Sequence, residues 1–215
     1  MRKLSVFFFA LILVTSTVGL GNAAPITFSN RATWEAAIGA APDVFVDFNG
    51  FSVDTSYAAA PLDLGPFSMS MTGAASRHVV DVAPFLFAGT DVDGTPYASA
   101  FVDDTRTVSI TFDTAVNAWG FDIFAAGNVG NALFMDLETT SGIQTVSLLQ
   151  TTSTTFFGVN MDPTDAISSI TFRNGVNDGF SLDNVAASSV PEPSTALLLG
   201  LGLVGIAAGR RRTGL

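Results

Sequence analysis

From Val44 onward the chain alternates. Large apolar side chains take every second position in VFVDF (Val44–Phe48), FSMSMT (Phe67–Thr72) and TVSITF (Thr107–Phe112), with small or polar residues between them. The pattern continues through AWGFDIF (Ala118–Phe124), ALFMDLET (Ala132–Thr139), QTVSLLQ (Gln144–Gln150) and TFFGVN (Thr155–Asn160). SSITF (Ser168–Phe172) and GFSLDNV (Gly179–Val185) close the series. A period of two sends successive side chains to opposite faces of a strand. Gly, Asn, Asp and Pro punctuate these runs every 8–14 residues or so (roughly), as an antiparallel all-β domain requires. Strands that are apolar on one face bury it most simply against a second sheet. The pattern therefore predicts a two-sheet, jelly-roll-like β-sandwich with phenylalanines filling the layer between the sheets.

Ahead of these runs, PITFS (Pro25–Ser29) reads as a short strand. NRATWEAAIGA then carries helix punctuation. Asn30 can cap the N-terminus, Trp34, Ala37 and Ile38 share a face, and Gly39 can end the helix. One short helix is expected in the core. DTSYAAAPLDLGP (Asp54–Pro66) reads as a long loop.

The two ends follow a different pattern. Met1-Arg2-Lys3 precedes the uncharged apolar run LSVFFFALILV and the small residues of GLGNAA. That order is the signature of a secretory signal peptide, here residues 1–23 with cleavage after Ala23. An uncleaved membrane anchor is the alternative, but the run is short for a spanning helix. Residues 24–188 form the expected core domain and residues 189–215 a separate tail.

Charge narrows the partners. The chain carries a formal net charge of −10, and its only lysine, Lys3, lies in the leader. Such a surface repels nucleic acid and anionic lipid. The chain has no cysteine, which excludes disulfides and thiol chemistry.

Candidate chemistry in the core is sparse. His78 has Ser76 and Asp81 near it in sequence, yet no nucleophile elbow accompanies them. The core holds only Glu35 and Glu138 besides its aspartates, no nucleotide-binding loop is present, and a non-catalytic protein is expected. Metal binding is the stronger possibility. Asp91 and Asp93 before Gly94 resemble the start of a Ca²⁺ loop, and Asp103, Asp104, Asp178 and Asp183 add hard oxygen donors. A structural Ca²⁺ held by Asp91, Asp93, Asp178 and Asp183 competes with plain solvated turn aspartates. No other cofactor is expected. For carbohydrate, the aromatic candidates are Tyr57 and Tyr97 in loop-like contexts, whereas Trp34 and Trp119 read as packing residues.

The tail is the most specific feature. Pro191-Glu192-Pro193 breaks regular structure, sixteen mostly apolar residues follow, and Arg210, Arg211 and Arg212 stand close to the end. A helix over Ser194–Gly209 would be about 24 Å long, short for a bilayer of roughly 30 Å. The arginines would remain cytoplasmic, leaving the β-domain outside. This order resembles the PEP-CTERM sorting signal of exopolysaccharide-producing Gram-negative bacteria, and DGFSLDNV (Asp178–Val185) resembles the last core strand of many such proteins. The resemblance implies an exosortase-type membrane protease as partner, recognition of Pro191, Glu192 and Pro193, and a transient membrane hold through the tail. It implies a cell-surface or extracellular-matrix protein with a structural or adhesive role in exopolysaccharide or biofilm. A polysaccharide-binding module and a secreted hydrolase are the alternatives.

Overall fold

The computed structural model describes residues 24–39, 41–73, 78–86, 91–126, 132–148, 151–174 and 176–189. The leader, the Pro-Glu-Pro segment, the apolar run and the arginine cluster lie outside them.

In chain order the elements are β1 (Ile26–Phe28), α1 (Arg31–Ile38), β2 (Val44–Val46), β3 (Thr55–Ser56), β4 (Leu62–Asp63), β5 (Phe67–Thr72), β6 (Val79–Asp81) and β7 (Tyr97–Val102). They continue with β8 (Thr107–Val116), β9 (Ala118–Phe124), β10 (Leu133–Thr139), β11 (Gly142–Leu148), β12 (Thr155–Asn160), β13 (Ile167–Arg173) and β14 (Asp178–Ser188). One sheet has eight strands in the order β1-β12-β9-β14-β7-β6-β3, with β2 pairing β14 beyond that path. The other has six, in the order β11-β10-β13-β8-β5-β4. All pairings are antiparallel. From β7 to β14 nearly every connection crosses from one sheet to the other, the jelly-roll-like winding of a β-sandwich.

The layer between the sheets is aromatic. The Trp119 ring on β9 meets Phe67 of β5 and Phe112 of β8 edge-on at 6.0 and 5.3 Å. Phe121 meets Phe172 of β13 at 5.8 Å, and Phe172 meets Phe180 of β14 at 5.3 Å. Each such side chain contributes about 1.5–3 kcal/mol by leaving water. With no disulfide available, this layer carries the fold.

The helix forms where its punctuation lies. Asn30 accepts a hydrogen bond from the Thr33 amide at 3.0 Å, and Gly39 ends α1 with φ +74° while donating to the Glu35 carbonyl. It docks outside the larger sheet: Trp34 packs with Ala118, Phe156 and Ala186 in a second small core. Its indole N–H donates to the Val159 carbonyl at 3.3 Å.

The expected loop over 54–66 contains two two-residue strands, β3 and β4. Strands β6 and β7 lie where the sequence shows no alternation. In β7 five of the six residues are buried, so both of its faces are covered and the period-two signal vanishes.

Candidate functional site

Three places on the sandwich collect polar chemistry, and the first lies outside the larger sheet. Asp183 of β14 stands in register with Asp122 of β9. Between Asp183 and Ala186 the pairing slips, and Asn184 takes a left-handed backbone with φ +50°. This bulge turns the Asn184 amide onto its neighbour, so that it donates to Asp183 Oδ1 at 2.6 Å. The Asn184 carbonyl accepts from Arg31 at 2.8 Å, and the same guanidinium pairs Asp122 at 3.2 Å over the Phe156 ring.

The loop before β7 closes over this bulge. Asp93 Oδ1 accepts from the Thr95 amide and hydroxyl at 3.0 and 2.5 Å, and Asn184 Nδ2 donates to Asp93 Oδ2 at 3.4 Å. The Thr95 hydroxyl also lies 3.4 Å from Asp183 Oδ2. The Thr95 hydroxyl bond, more than any other contact, holds the Asp93 carboxyl below the usual carboxylate range. Asp183 is fully buried. Burial first, then the charges of Asp93 and Asp122, push its carboxyl up to about 7.

Of the four expected Ca²⁺ ligands, the fold brings only Asp93 and Asp183 together. Asp91 makes no described bond to the pair. Asp178 lies at the far end of β14, where Asn174 donates to it at 3.3 Å. Among the described residues no group of three or more acidic, His or Cys side chains could hold a metal ion. Asp103 turns inward on its own turn, bonded to Thr105 and paired with Arg106.

The expected carbohydrate platforms are corrected by the structure. Tyr57 and Tyr97 are 1% and 0% exposed, so neither ring can stack on a sugar. Tyr57 packs into the inter-sheet core and donates to the Ser99 carbonyl at 2.6 Å. Burial raises its phenol well above the ordinary value. Tyr97 opens β7, packs against Phe85, and donates to the Asp81 carboxylate at 2.9 Å. Their loop-like flanks in sequence conceal positions that the sheets close over. His78 is also buried: its Nε2 lies 2.6 Å from the Phe101 carbonyl, and its ring stands edge-on to Tyr57.

The second place is a cleft of about 310 Å³ where the two sheets part at one side of the sandwich. Thr27–Ser29 and Thr155–Phe157 from the larger sheet form one wall, and Val146–Leu148 of β11 the other. Phe157 is half-buried there, the Phe28 ring packs on the Trp34 cluster at the other face of the sheet, and Thr27, Ser29, Ser147 and Thr155 offer hydroxyls at the rim. Among the described residues no charged side chain lines it. In a chain this acidic, an uncharged cleft with aromatic edges and a hydroxyl rim suits a neutral ligand having one apolar and one polyhydroxyl face. The cleft is not legible locally, because Thr27–Ser29 reach Val146–Leu148 and Thr155–Phe157, more than a hundred residues further along the chain, only through sheet pairing.

The third place is the exit of the chain. Asp43 Oδ2 accepts from the Ser188 hydroxyl at 2.9 Å, the Ser189 amide at 3.0 Å and the Ser189 hydroxyl at 3.2 Å. These bonds, the Ser188 hydroxyl foremost, keep the Asp43 carboxyl below its usual range. The Asn117 amide donates to the Ser188 carbonyl at 3.0 Å. The core is thus tied down to Ser189, two residues before Pro191.

A family model of the PEP-CTERM protein-sorting motif matches residues 189–212, starting on this last tied residue. The chain carries a PEP-CTERM sorting motif. The matched stretch encloses Pro191, Glu192 and Pro193 and reaches Arg210, Arg211 and Arg212. The motif marks an exported protein processed at the membrane, and implies recognition by an exosortase. Among the described residues no helix is long and apolar enough to cross a membrane; the apolar run of the motif lies outside them.

No curated protein matches the chain. Among solved structures, it is similar to a family 29 carbohydrate-binding module complexed with mannohexaose, at 11% identity and a TM-score of 0.38, covering 64% of this chain and 92% of that one. It is also similar to the family 11 carbohydrate-binding module of a Clostridium thermocellum cellulosomal cellulase, at 14% identity and a TM-score of 0.33, covering 66% and 91%. A third is the enzymatically active domain of a bacteriophage CBA120 tailspike protein, at 13% identity and a TM-score of 0.34. The match covers 59% of this chain and only a fifth (20%) of the tailspike chain. The two-sheet architecture stands on the chain's own strand pairing.

Proposed function

We propose that the sandwich is delivered outside the membrane as a folded, non-catalytic component of an exopolysaccharide matrix, and that it holds neutral polysaccharide in the cleft between β11 and the β1–β12 edge. The observation that carries the delivery reading is the junction between core and motif. β14 ends at Ser188, Asp43 ties Ser188 and Ser189, and the sorting motif starts at 189. A protease acting at Pro191-Glu192-Pro193 would leave every strand of the core intact.

The cleft supports the binding half. Sugar rings have an apolar C–H face and a hydroxyl rim, which match the Phe157 ring and the Thr and Ser hydroxyls around it. The test is affinity electrophoresis of the full chain through gels containing neutral or uronate polysaccharide. Retardation by a neutral polymer, lost in a Phe157→Ala variant that still folds, is expected. Equal mobility in every gel, or retardation that the variant keeps, would exclude the cleft as the binding site.

A further inference from the structure

The core holds its own exit from both sides. Near its end β14 pairs Ala187 with Val44 of β2 and with Trp119 of β9, and Ser188 with Ala118. The bonds from Asn117 and to Asp43 then fix Ser188 and Ser189. Core strands flanked in this way open only at a free energy approaching that of global unfolding. Ser189 is therefore a fixed post, and the sorting motif starts on it.

Tether length decides what must come close. An extended chain gains at most about 3.6 Å per residue. Pro191 is two residues beyond the post and Pro193 four, so a bond cut among them lies within about 14 Å of Ser189. Even a small domain is about 30 Å across. An enzyme that closes on that bond also lies against this end of the sandwich, because β14 does not peel out to meet it.

The end it meets is shaped and charged. A hollow of about 220 Å³ opens beside Ser188 and Ser189. Val44, Pro66, Phe112 and Val116 line it, and Asp43 and Asp113 add carboxylates. Asp113, Thr114 and Ala115 are exposed in succession at the end of β8. Among the described residues no cation lines the hollow; Arg31, Arg106 and Arg173 pair with Asp122, Asp103 and Asp136.

We infer that this hollow and its lip are a docking face for the membrane protease that reads the sorting motif, met by a surface of that enzyme that is apolar at its centre and basic around it. The inference rests on the delivery reading and adds that the folded core is recognised together with Pro191-Glu192-Pro193. The tether names the occupant, since a partner acting at 191–193 is obliged to come this near. Opposite charge on the enzyme matches Asp43 and Asp113, fixes its orientation and speeds encounter.

Pulse–chase of the full chain in its own host tests the docking. Asp113→Lys is expected to slow removal of the motif about tenfold, because it sets like charges against each other. Asp113→Glu should keep the parent rate. Asp104→Lys should keep it too, since it makes the same change of charge ahead of the far end of β8. Twelve Gly and Ser residues inserted between Ser189 and Val190 add about 20 Å of flexible tether. The insert should slow the parent and abolish the difference between parent and Asp113→Lys. Should Asp113→Lys fail to fold, Thr114→Lys on the same lip takes its place. Equal rates for parent and lysine variant, or faster processing of the parent with the insert, would overturn the docking and leave the delivery reading intact. A parent chain that is never processed would remove the delivery reading, and the docking with it.

Discussion

Gly158 of β12 faces Gly120 of β9 in register, and the Trp34 ring lies where their side chains would stand. A Cβ on Gly158 would come within 2.7 Å of Trp34 Cδ1, and one on Gly120 within 2.7 Å of Phe156 Cζ and 3.3 Å of Trp34 Cε2. The two glycines are the floor on which α1 is seated, and α1 in turn holds Arg31 over the bulge at Asn184.

Gly158→Ala should therefore cost about 1–3 kcal/mol by overpacking, and Trp34→Ala about 3–5 kcal/mol by leaving a void. Denaturant unfolding of the two variants measures both. Gly142→Ala meets no neighbour but sits at φ +118°, so any loss there reports backbone strain alone. Equal, negligible costs at Gly158 and Gly142 would show that the helix seat is not close-packed.

Asp183 sets a pH dependence. Its folded value of about 7 lies above the ordinary carboxylate range, so the folded state binds the proton more tightly than the unfolded chain does. Its contribution is fully present below about pH 4, is lost as pH rises to about 7, and is flat beyond. At its steepest the loss approaches about 1.4 kcal/mol per pH unit. Asp93, Asp122 and Arg31 are the charged groups around it. Asp183→Asn keeps an acceptor for the Asn184 amide and should flatten this slope, leaving the variant more stable than the parent above pH 7. A melting-temperature series from pH 4 to 8 decides; parallel curves for parent and variant would contradict the assignment.

Asp43 is the tie at the exit. Asp43→Ala removes three hydrogen bonds to Ser188 and Ser189, and bonds to a charged acceptor are the stronger kind. The end of β14 should fray, with amide exchange at Ser189 at least tenfold faster and global stability lower by about 1–2 kcal/mol. Unchanged exchange at Ser189 would mean that the β14 ladder alone secures the exit.

Much of this fold is legible in the residues themselves. Alternation marked β5, β9 and β12 with the ends they have in the structure. Asn30 and Gly39 bounded the helix by chemistry that acts locally. β7 escaped because YASAFV is covered on both faces and built partly of small residues, so nothing alternates. The same burial explains Tyr97, which follows Gly94-Thr95-Pro96 and looks like a loop residue until β6 and β14 close around it. The bulge left one trace, an asparagine inside a strand, since Asn tolerates the left-handed backbone better than most residues. Neither the Asp93–Asp183 meeting nor the cleft could be read locally. The first joins segments about ninety residues apart and the second seats Thr27–Ser29 against segments more than a hundred residues further on, contacts which sheet order creates and short-range pattern does not encode.

If the sorting motif is read and removed at the membrane, the sandwich remains whole outside. Intact-mass measurement of the protein recovered from its host's surface or medium tests it most directly. The expected species has its C-terminus near Pro191-Glu192-Pro193, with the core through Ser189 retained and Arg210–Arg212 gone. Recovered protein that still ends at Leu215 would contradict it.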